Sequence, residues 1–287
     1  MGALSRLGIS SVLFLALLPG SHARDPQTSI SATPPSTLFS QSAVRVLERD
    51  FSTDSISYLL LDANSGALLA SHWENYDNSI PLGSLVKPFT ALAYAGAHDF
   101  RYPVYECSGQ ASGCWQARPH GTLDIVSAIS VSCNSYFRSL AENVTAEQLL
   151  PVTSAFGLES PSTNSTGPSL IGLGEQWKIS PLRMAHAYLE LYRRRDQPGV
   201  RQLLAGMLQS EQSGTGAAIG RTLKGSGAFV KTGTAPCTHA ARATADGFVM
   251  VLAPAQPPEI LLLIRVHGAA GAKAAETAAR MLNRMEE

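Results

Sequence analysis

Strand-like runs lie at both ends of this chain, and the long stretch between them has few strand signals. Near the front, "SISYLLLDANSGALLASHW" divides into two β-rich runs around the turn signal Asn64-Ser65-Gly66, which predicts a hairpin. Near the end, "GAFVKTGTA", "ATADGFVMVLA" and "EILLLIRVHG" predict three more strands. We therefore expect a mixed α+β fold, in which both ends of the chain join one mainly antiparallel central sheet covered by helices.

The middle of the chain, residues 97–221, is predicted to form a helical subdomain inserted between those strands. "TLDIVSAISVSCNSYFRSLAEN" and "SPLRMAHAYLELYRRR" both have amphipathic helical patterns. Two further helical patterns, "QSAVRVLERDF" and "AGAKAAETAARMLNRMEE", lie before the first strand and after the last. A cleft is expected where the inserted subdomain meets the sheet.

The first residues have the features of a secretory signal peptide. Arg6 gives a positive start, "LGISSVLFLALL" is apolar, and "SHA" at residues 21–23 offers small residues at a cleavage site. The apolar run is shorter than the ~20 residues of a membrane span, although an uncleaved anchor is the alternative interpretation. We expect a signal peptide over residues 1–23, a Pro/Ser/Thr-rich linker over 24–40, and one domain over 41–287. After cleavage near Ala23 the protein would be exported and soluble, in the periplasm or another extracytoplasmic space.

The composition is that of a globular domain without a nucleic-acid partner. The chain is 45% hydrophobic and only 15% charged, and its 22 basic residues balance its 22 acidic ones. Beyond "YRRRD" at Tyr192–Asp196 there is no basic stripe of the kind that binds phosphate backbones.

Ser84 and Lys87 are the first candidates for chemistry. They stand three residues apart in "IPLGSLVKPFTALAYA", so on a helix both side chains project from one face. A serine hydroxyl becomes a nucleophile when a base removes its proton, and a lysine can be that base if burial or a nearby cation lowers its pKa. Of the five lysines in the chain, only Lys87 has a serine three residues before it. A solvent-exposed surface lysine is the alternative.

Two later motifs make the catalytic interpretation more specific. "SVSCNSYF" contains Ser132-Cys133-Asn134, an S-x-N sequence, and "FVKTGTA" contains Lys231-Thr232-Gly233-Thr234 in a predicted strand. A cation, two hydroxyls and backbone N–H groups suit a carboxylate and a developing oxyanion. A glycine within a strand favours close approach of another backbone.

With these three motifs in this order, the sequence resembles the transpeptidase domain of the penicillin-binding proteins, which are serine enzymes that acylate on β-lactams. "CSGQASGCWQARPHGTLDIVSAISVSCNSYF", "IGLGEQWKISPLRMAHAY" and "ADGFVMVLAPAQPPEILLLIRV" are similar to further segments of that family, so the resemblance covers roughly Ile56 to Val266. It implies a β-lactamase/transpeptidase-like fold. Unlike the larger members of the family, this protein is expected to have no glycosyltransferase domain, no large N-terminal module and no membrane anchor.

The resemblance assigns a catalytic role to five residues. Ser84 would be the acylated nucleophile and Lys87 its base, kept neutral partly by the charge of Lys231. Ser132 would pass a proton to the leaving amine, and Asn134 would hold the substrate amide and orient Lys87.

The resemblance also assigns a binding role to the late strand. Lys231, Thr232 and Thr234 would receive the substrate carboxylate, and the backbone N–H groups of Ser84 and Thr234 would form the oxyanion hole. Gly233 would let the substrate lie against this strand as an additional β-strand.

These roles imply a D,D-transpeptidase or D,D-carboxypeptidase that acts on peptidoglycan stem peptides ending in D-Ala-D-Ala and reacts with β-lactam antibiotics. A serine β-lactamase is the first alternative, although no second carboxylate motif is evident that would activate water for it; carbamylated Lys87 could take that part. A non-enzymatic β-lactam sensor or scaffold is the second. No cofactor is expected for catalysis. A cell-wall protein partner is compatible with this function, and the sequence does not identify it.

The cysteines allow two interpretations. Cys107, Cys114 and Cys133 together with His120 offer three thiolates and one imidazole, the ligand set of a closed structural zinc site. Some members of the resembled family place metal-binding residues before S-x-N. Alternatively, a disulfide joins Cys107 to Cys114 and Cys133 is a buried thiol, which export would favour.

Overall fold

The computed structural model describes residues 35–223, 225–239 and 243–286, with side chains from residue 41 onward. The predicted signal peptide and residues 24–34 of the predicted linker lie outside this part. The α-helices are α1 Pro35–Phe51, α2 Lys87–Gly96, α3 Ile125–Ser130, α4 Asn134–Ala141, α5 Ala146–Phe156, α6 Gly167–Leu170, α7 Pro181–Arg193, α8 Val200–Ser213, α9 Ala217–Gly220 and α10 Gly271–Glu286. Short 3₁₀ helices cover Gly83–Val86 and Gly109–Ser112. The strands are β1 Ile56–Asp62, β2 Leu68–His72, β3 Ile80–Pro81, β4 Tyr105–Cys107, β5 Gly121–Leu123, β6 Lys178–Ile179, β7 Phe229–Pro236, β8 Ala245–Ala253 and β9 Ile260–His267.

One five-stranded antiparallel sheet joins the two ends of the chain, as the sequence predicted. Its strand order is β2-β1-β9-β8-β7. The carboxylate of Asp62 ends β1 by accepting hydrogen bonds from the backbone N–H groups of Asn64 and Ser65, at 3.1 and 2.7 Å, which fixes the predicted hairpin turn. Strand β7 is at the edge of this sheet and pairs only with β8 in the described part of the chain.

Both faces of the sheet are buried, because its central strands are apolar at consecutive positions. Successive side chains of a strand point to opposite faces. Leu59 and Leu61 of β1 therefore join the larger core beneath the inserted helices, whereas Leu60 joins the smaller core. That smaller core is closed by α1 and α10, which contribute Leu47 and Met281.

The inserted region is mainly helical, and it also contains β4, β5 and β6, which the sequence did not predict; β3, also not predicted, lies before it. β3 pairs with β6 and β4 pairs with β5, each as a short antiparallel ribbon. Such strands have only two or three residues each, too few to show an alternating pattern in the sequence.

Two boundaries differ from the sequence-based predictions. Helix α1 begins at Pro35, so residues 35–40 are helical and not linker. The pattern from Thr122 to Asn143 is not one helix: it divides into α3 and α4, with a break at residues 131–133. Ser132 in that break has a left-handed φ of 51°. Among the described helices, none has both the length and the apolar character needed to cross a bilayer.

Candidate active site

Ser84 and Lys87 lie on a short helical segment at the start of α2. The 3₁₀ helix Gly83–Val86 leads directly into α2, and the backbone N–H of Lys87 donates to the carbonyl oxygen of Ser84. Residues three apart in a 3₁₀ helix are on the same side, so this geometry keeps both side chains on one face. Pro88 stands in the first turn of α2, where its missing N–H removes no helical bond. Ser84 is half-buried and Lys87 is fully buried.

The turn before Ser84 packs directly against strand β7. Gly83 has a φ of +58°, and a Cβ atom at this position would overlap the backbone of Thr234. A Cβ atom on Gly233 would lie 2.6 Å from the carbonyl oxygen of Leu82. Glycine at both positions therefore allows the turn before Ser84 and strand β7 to approach each other more closely than any side chain would permit. This contact brings the first and third motifs together.

Ser132 and Asn134 reach the same place from the break between α3 and α4. The Nζ atom of Lys87 donates to the backbone oxygen of Ser132 at 2.8 Å and to Oδ1 of Asn134 at 2.7 Å. The Nζ atom of Lys87 is also 3.4 Å from the hydroxyl oxygen of Ser132. The left-handed conformation of Ser132 turns both its carbonyl oxygen and its hydroxyl toward Nζ of Lys87. In a continuous helix this carbonyl would instead point along the helix axis.

Lys231 completes this network from strand β7. Its Nζ atom donates to the hydroxyl of Ser132 at 2.8 Å and to the carbonyl oxygen of Thr232 at 2.7 Å. The hydroxyl of Ser132 therefore lies between the two lysine side chains. The five residues predicted to be catalytic are thus brought together, although they come from three separate parts of the chain.

The two threonines of the third motif are held by different neighbours. The Thr232 hydroxyl donates to that of Thr215 at 2.7 Å, and the backbone N–H of Gly271 donates to the Thr234 hydroxyl at 2.9 Å. Thr215, in the turn after α8, was missed by the sequence analysis because no local motif marks it. Gly271 was also missed, although the glycine- and alanine-rich sequence between β9 and α10 is typical of a loop.

Both lysines have lowered pKa values. Burial lowers the pKa of Lys87 to about 7, with a smaller contribution from Arg138, while thiolate charge at Cys133 or Cys114 would act in the opposite direction. Burial also lowers the pKa of Lys231 well below its ordinary value, and repulsion from Lys87 lowers it further. Burial and the charge of Lys231 were both expected to keep Lys87 neutral; in the structure burial is the main cause at Lys87, and the repulsion between the two lysines lowers the pKa of Lys231.

A cavity of about 420 Å³ opens in front of these groups. The residues that line it are Ser84, Trp115, Ser132, Asn134, Leu173, Thr215, Thr232, Gly233, Thr234, Ala270, Gly271 and Ala272. Trp115 is 52% exposed at the rim, and its indole N–H donates to the carbonyl oxygen of Val131 at 3.3 Å. Among the described residues that line the cavity, none is an aspartate or a glutamate.

The predicted metal-ligand set also comes together, behind the S-x-N segment. The sulfurs of Cys107 and Cys114 are each 3.5 Å from Nδ1 of His120, and those of Cys114 and Cys133 are 3.7 Å apart. Zinc bond lengths of about 2.0–2.3 Å place neighbouring ligand atoms of a tetrahedron about 3.3–3.8 Å apart, so these distances fit. Nε2 of His120 lies 3.2 Å from Oε1 of Gln116, an outer partner of the kind that orients a metal-binding imidazole. The three cysteines are free thiols in this structure.

The geometry therefore joins the residues of all three sequence motifs in one site. A family model described as the penicillin-binding protein transpeptidase domain matches residues 56–285. The chain belongs to this family. No curated protein sequence matched it.

Solved structures share the fold at low sequence identity. Pseudomonas aeruginosa PBP2 in complex with WCK 5153 matches with a TM-score of 0.66 and 18% identity, over 87% of this chain and 73% of that chain. The transpeptidase domain of Burkholderia pseudomallei penicillin-binding protein 3 matches with a TM-score of 0.65 and 16% identity, over 92% and 96%. PBP2 of Helicobacter pylori, in a complex with MreC, gives 0.66 and 17% over 87% of this chain and 62% of that chain. These matches confirm the predicted mixed fold with its antiparallel sheet.

Proposed function

We propose that this protein is a peptidoglycan D,D-transpeptidase or D,D-carboxypeptidase that acts on stem peptides ending in D-Ala-D-Ala through an acyl-Ser84 intermediate. The observation that carries the proposal is the single hydrogen-bonded network formed by Lys87, Ser132, Asn134 and Lys231 beside Ser84, at the open edge of β7. Family membership supports the reaction class.

Lys87 is the base for acylation in this proposal. With a pKa of about 7, a large part of Lys87 is neutral at physiological pH and can accept the proton of Ser84. The two oxygens that accept from its amine, on Ser132 and Asn134, fix the direction of the nitrogen lone pair. Ser84 then attacks the carbonyl carbon of the penultimate D-Ala, and the D-Ala–D-Ala peptide bond breaks with release of D-Ala.

Ser132 is the proton donor to the leaving amine. Its hydroxyl is within reach of both lysine nitrogens, at 3.4 Å from Lys87 and 2.8 Å from Lys231. The proton taken from Ser84 can therefore pass from Lys87 through Ser132 to the leaving nitrogen, which balances the acylation step.

Lys231 and the threonines receive the terminal carboxylate. An arriving carboxylate favours the charged form of Lys231, because an opposite charge nearby raises the pKa that burial has lowered. The hydroxyls of Thr232 and Thr234 line the cavity beside Lys231.

Strand β7 and the turn before Ser84 provide the oxyanion hole and the peptide-binding edge. Gly83 lies against the backbone of Thr234, which supports the backbone N–H groups of Ser84 and Thr234 as the two proposed donors. Preorganised donors of this kind contribute about 3 kcal/mol each to lowering the barrier. The edge of β7 that no described strand pairs with lets a stem peptide bind as an additional antiparallel strand.

The absence of a carboxylate among the described cavity residues favours a transpeptidase or carboxypeptidase over a β-lactamase. Rapid hydrolysis of a penicilloyl-serine needs a group that activates water, and none of the described lining residues is an acid. The acyl-enzyme formed with penicillin should therefore persist.

We also propose that Cys107, Cys114, His120 and Cys133 hold a structural zinc ion. Four ligands leave no open position for catalysis. The ion would neutralise thiolates that otherwise repel one another: burial and the neighbouring sulfurs raise the pKa of Cys133 to about 12. It would tie β4, the following loop and the start of α4 together behind Ser132.

The site of action in this proposal is outside the cytoplasm, after signal cleavage near Ala23. N-terminal sequencing of the exported protein should give Arg24, and a start at Met1 would contradict cleavage. A cell-wall protein partner is part of the proposal, by analogy with the Helicobacter pylori PBP2 complex with MreC.

Labelling with a fluorescent penicillin tests the proposed function. Wild-type protein and a Ser154→Ala control, which changes an exposed serine on α5, should form one long-lived adduct, and Ser84→Ala should form none. An adduct in Ser84→Ala would contradict the assignment, and rapid loss of label from wild type would identify a β-lactamase. Release of D-Ala from a stem peptide, with and without an acceptor amine, then separates hydrolysis from cross-linking; no release under either condition, with the label retained, would favour a sensor.

A further inference from the structure

A second cluster of metal-ligand side chains lies at the end of the main sheet, next to the cavity. Cys237 directly follows β7, Asp246 is the second residue of β8, and His267 is the last residue of β9. His239 lies in the connection between β7 and β8. Strands β7, β8 and β9 are adjacent and antiparallel, so the end of β7, the start of β8 and the end of β9 lie at one side of the sheet. Asp246 and His267 are paired there.

The four ligand atoms form a closed ring of contacts. The sulfur of Cys237 is 3.5 Å from Nδ1 of His239 and 3.7 Å from Nδ1 of His267. The two carboxylate oxygens of Asp246 lie 2.9 Å from Nδ1 of His267 and 3.4 Å from Nδ1 of His239. Each histidine therefore directs the same ring nitrogen toward both the sulfur and the carboxylate, and all four atoms lie within 4.8 Å of one another.

These distances match the spacing of ligands around a tetrahedral ion. Zinc with nitrogen, oxygen and sulfur ligands at about 2.0–2.3 Å places neighbouring ligand atoms about 3.3–3.8 Å apart. Three of the four distances fall in this range, and the fourth, between Asp246 and His267, is a hydrogen-bond length. A mixed sulfur, imidazole and carboxylate set selects zinc over magnesium or calcium, which prefer oxygen ligands alone.

The electrostatics of the cluster also suit a divalent cation. The Asp246 side chain is buried, and a thiolate at Cys237 would place a second negative charge beside it. One divalent ion neutralises both. The histidine rings lie 4.6 Å apart, so both imidazoles are close enough to bind one ion. Arg265 is the cation of this neighbourhood, and it donates at 2.7 Å to the hydroxyl of Ser57.

We propose that Cys237, His239, Asp246 and His267 bind a structural zinc ion that joins the ends of β7, β8 and β9. This site is separate from the three-cysteine cluster and does not depend on the proposed enzymatic function. With four protein ligands it has no open position, so its role is to hold the strands.

The position of this ion connects it to the wall of the cavity. Asp246 also accepts the backbone N–H of Gly268 at 3.3 Å, and Gly268 begins the segment that leads to the cavity residues Ala270 and Gly271. Gly271 in turn donates to Thr234. An ion bound to Asp246 would fix the carboxylate, and through it the segment that supports Thr234.

Zinc content measured by mass spectrometry tests the proposal on full-length protein purified without chelator. The double variant Cys237→Ser/His267→Ala should contain about one zinc per chain less than wild type, while its three-cysteine cluster is unchanged. The control His98→Ala, which removes a half-buried histidine outside both clusters, should keep the wild-type content. Equal zinc in the double variant and wild type would overturn the proposal.

A measurement on wild type alone keeps the test independent of whether the variant folds. Crystals grown with added zinc should give an anomalous peak at the zinc absorption edge between Cys237 Sγ and Asp246, separate from any peak at Cys133. An ordered segment without this peak would overturn the assignment, whatever the three-cysteine cluster holds and whether or not Ser84 reacts with penicillin.

Discussion

The protonation state of Lys87 should control the rate at which penicillin acylates this protein. Burial lowers the pKa of Lys87 from 10.5 to about 7, and only the neutral amine can accept the proton of Ser84. The acylation rate should therefore be highest above pH 8. It should fall as the pH decreases through 7, about tenfold for each further pH unit, because the neutral fraction falls in that proportion.

Lys87→Arg is the matched perturbation, since it keeps a cation of similar reach that does not lose its proton in proteins. Loss of a general base costs about a hundred- to ten-thousand-fold in rate. The variant should therefore be slower by that factor at pH 9 and should lose the increase of rate between pH 6 and 8.

The assay measures the second-order rate constant for labelling by a fluorescent penicillin, at constant ionic strength from pH 5 to 9. Folding of the variant is checked by its melting temperature at each pH. A wild-type rate that does not change across pH 7, or near-normal labelling of Lys87→Arg, would refute the assignment of Lys87 as the base.

Three further predictions concern stability and metal content. Between about pH 7 and 10.5 the unfolded chain holds a proton that folded Lys87 has lost, so the free energy of unfolding should rise with pH in that window, by about 5 kcal/mol in total for this group. In denaturant titrations, the free energy of unfolding of wild type should rise by about 3 kcal/mol more than that of Lys87→Met between pH 7.5 and pH 9.5. An equal change with pH in the two proteins would contradict this prediction. Gly83→Ala should lower the melting temperature and the labelling rate more than Gly121→Ala, because both glycines have positive φ but only Gly83 would press a Cβ atom into Thr234; equal effects would show that the contact is unimportant. Cys133→Ser should lose about one zinc per chain by mass spectrometry, and an unchanged zinc content would leave the predicted three-cysteine site without support.

The sequence by itself determined the elements that carry the motifs. Alternation and apolar runs predicted the hairpin around Asn64 and the three late strands, because burial on each face depends only on the spacing of residues along a strand. The spacing of Ser84 and Lys87 predicted that both side chains lie on one side of a helix, because residues three apart are neighbours on a helical surface. The order of S-x-x-K, S-x-N and K-T-G-T was sufficient to indicate the family.

Only the tertiary structure decided which groups meet and in which protonation state. Lys87 reaches Ser132 across 45 residues of sequence, and Lys231 reaches the same serine across 99. The break that gives Ser132 a positive φ interrupts a sequence whose helical pattern is continuous. Lysine side chains of other elements donate hydrogen bonds to its carbonyl and hydroxyl oxygens there. A local pattern contains no information about such partners.

The same limit applies to the lowered pKa values and to the second metal-ligand cluster. The pKa of Lys87 depends on the exclusion of water by elements that are distant in sequence: of the two causes that the sequence suggested, burial and the charge of Lys231, burial is the main one. His267 is 30 positions from Cys237 and 21 from Asp246 in the chain, and it is their neighbour because β7, β8 and β9 are adjacent in the sheet. Spacing along the chain determines which face a residue occupies, whereas packing between elements determines what it touches and how far it is from water.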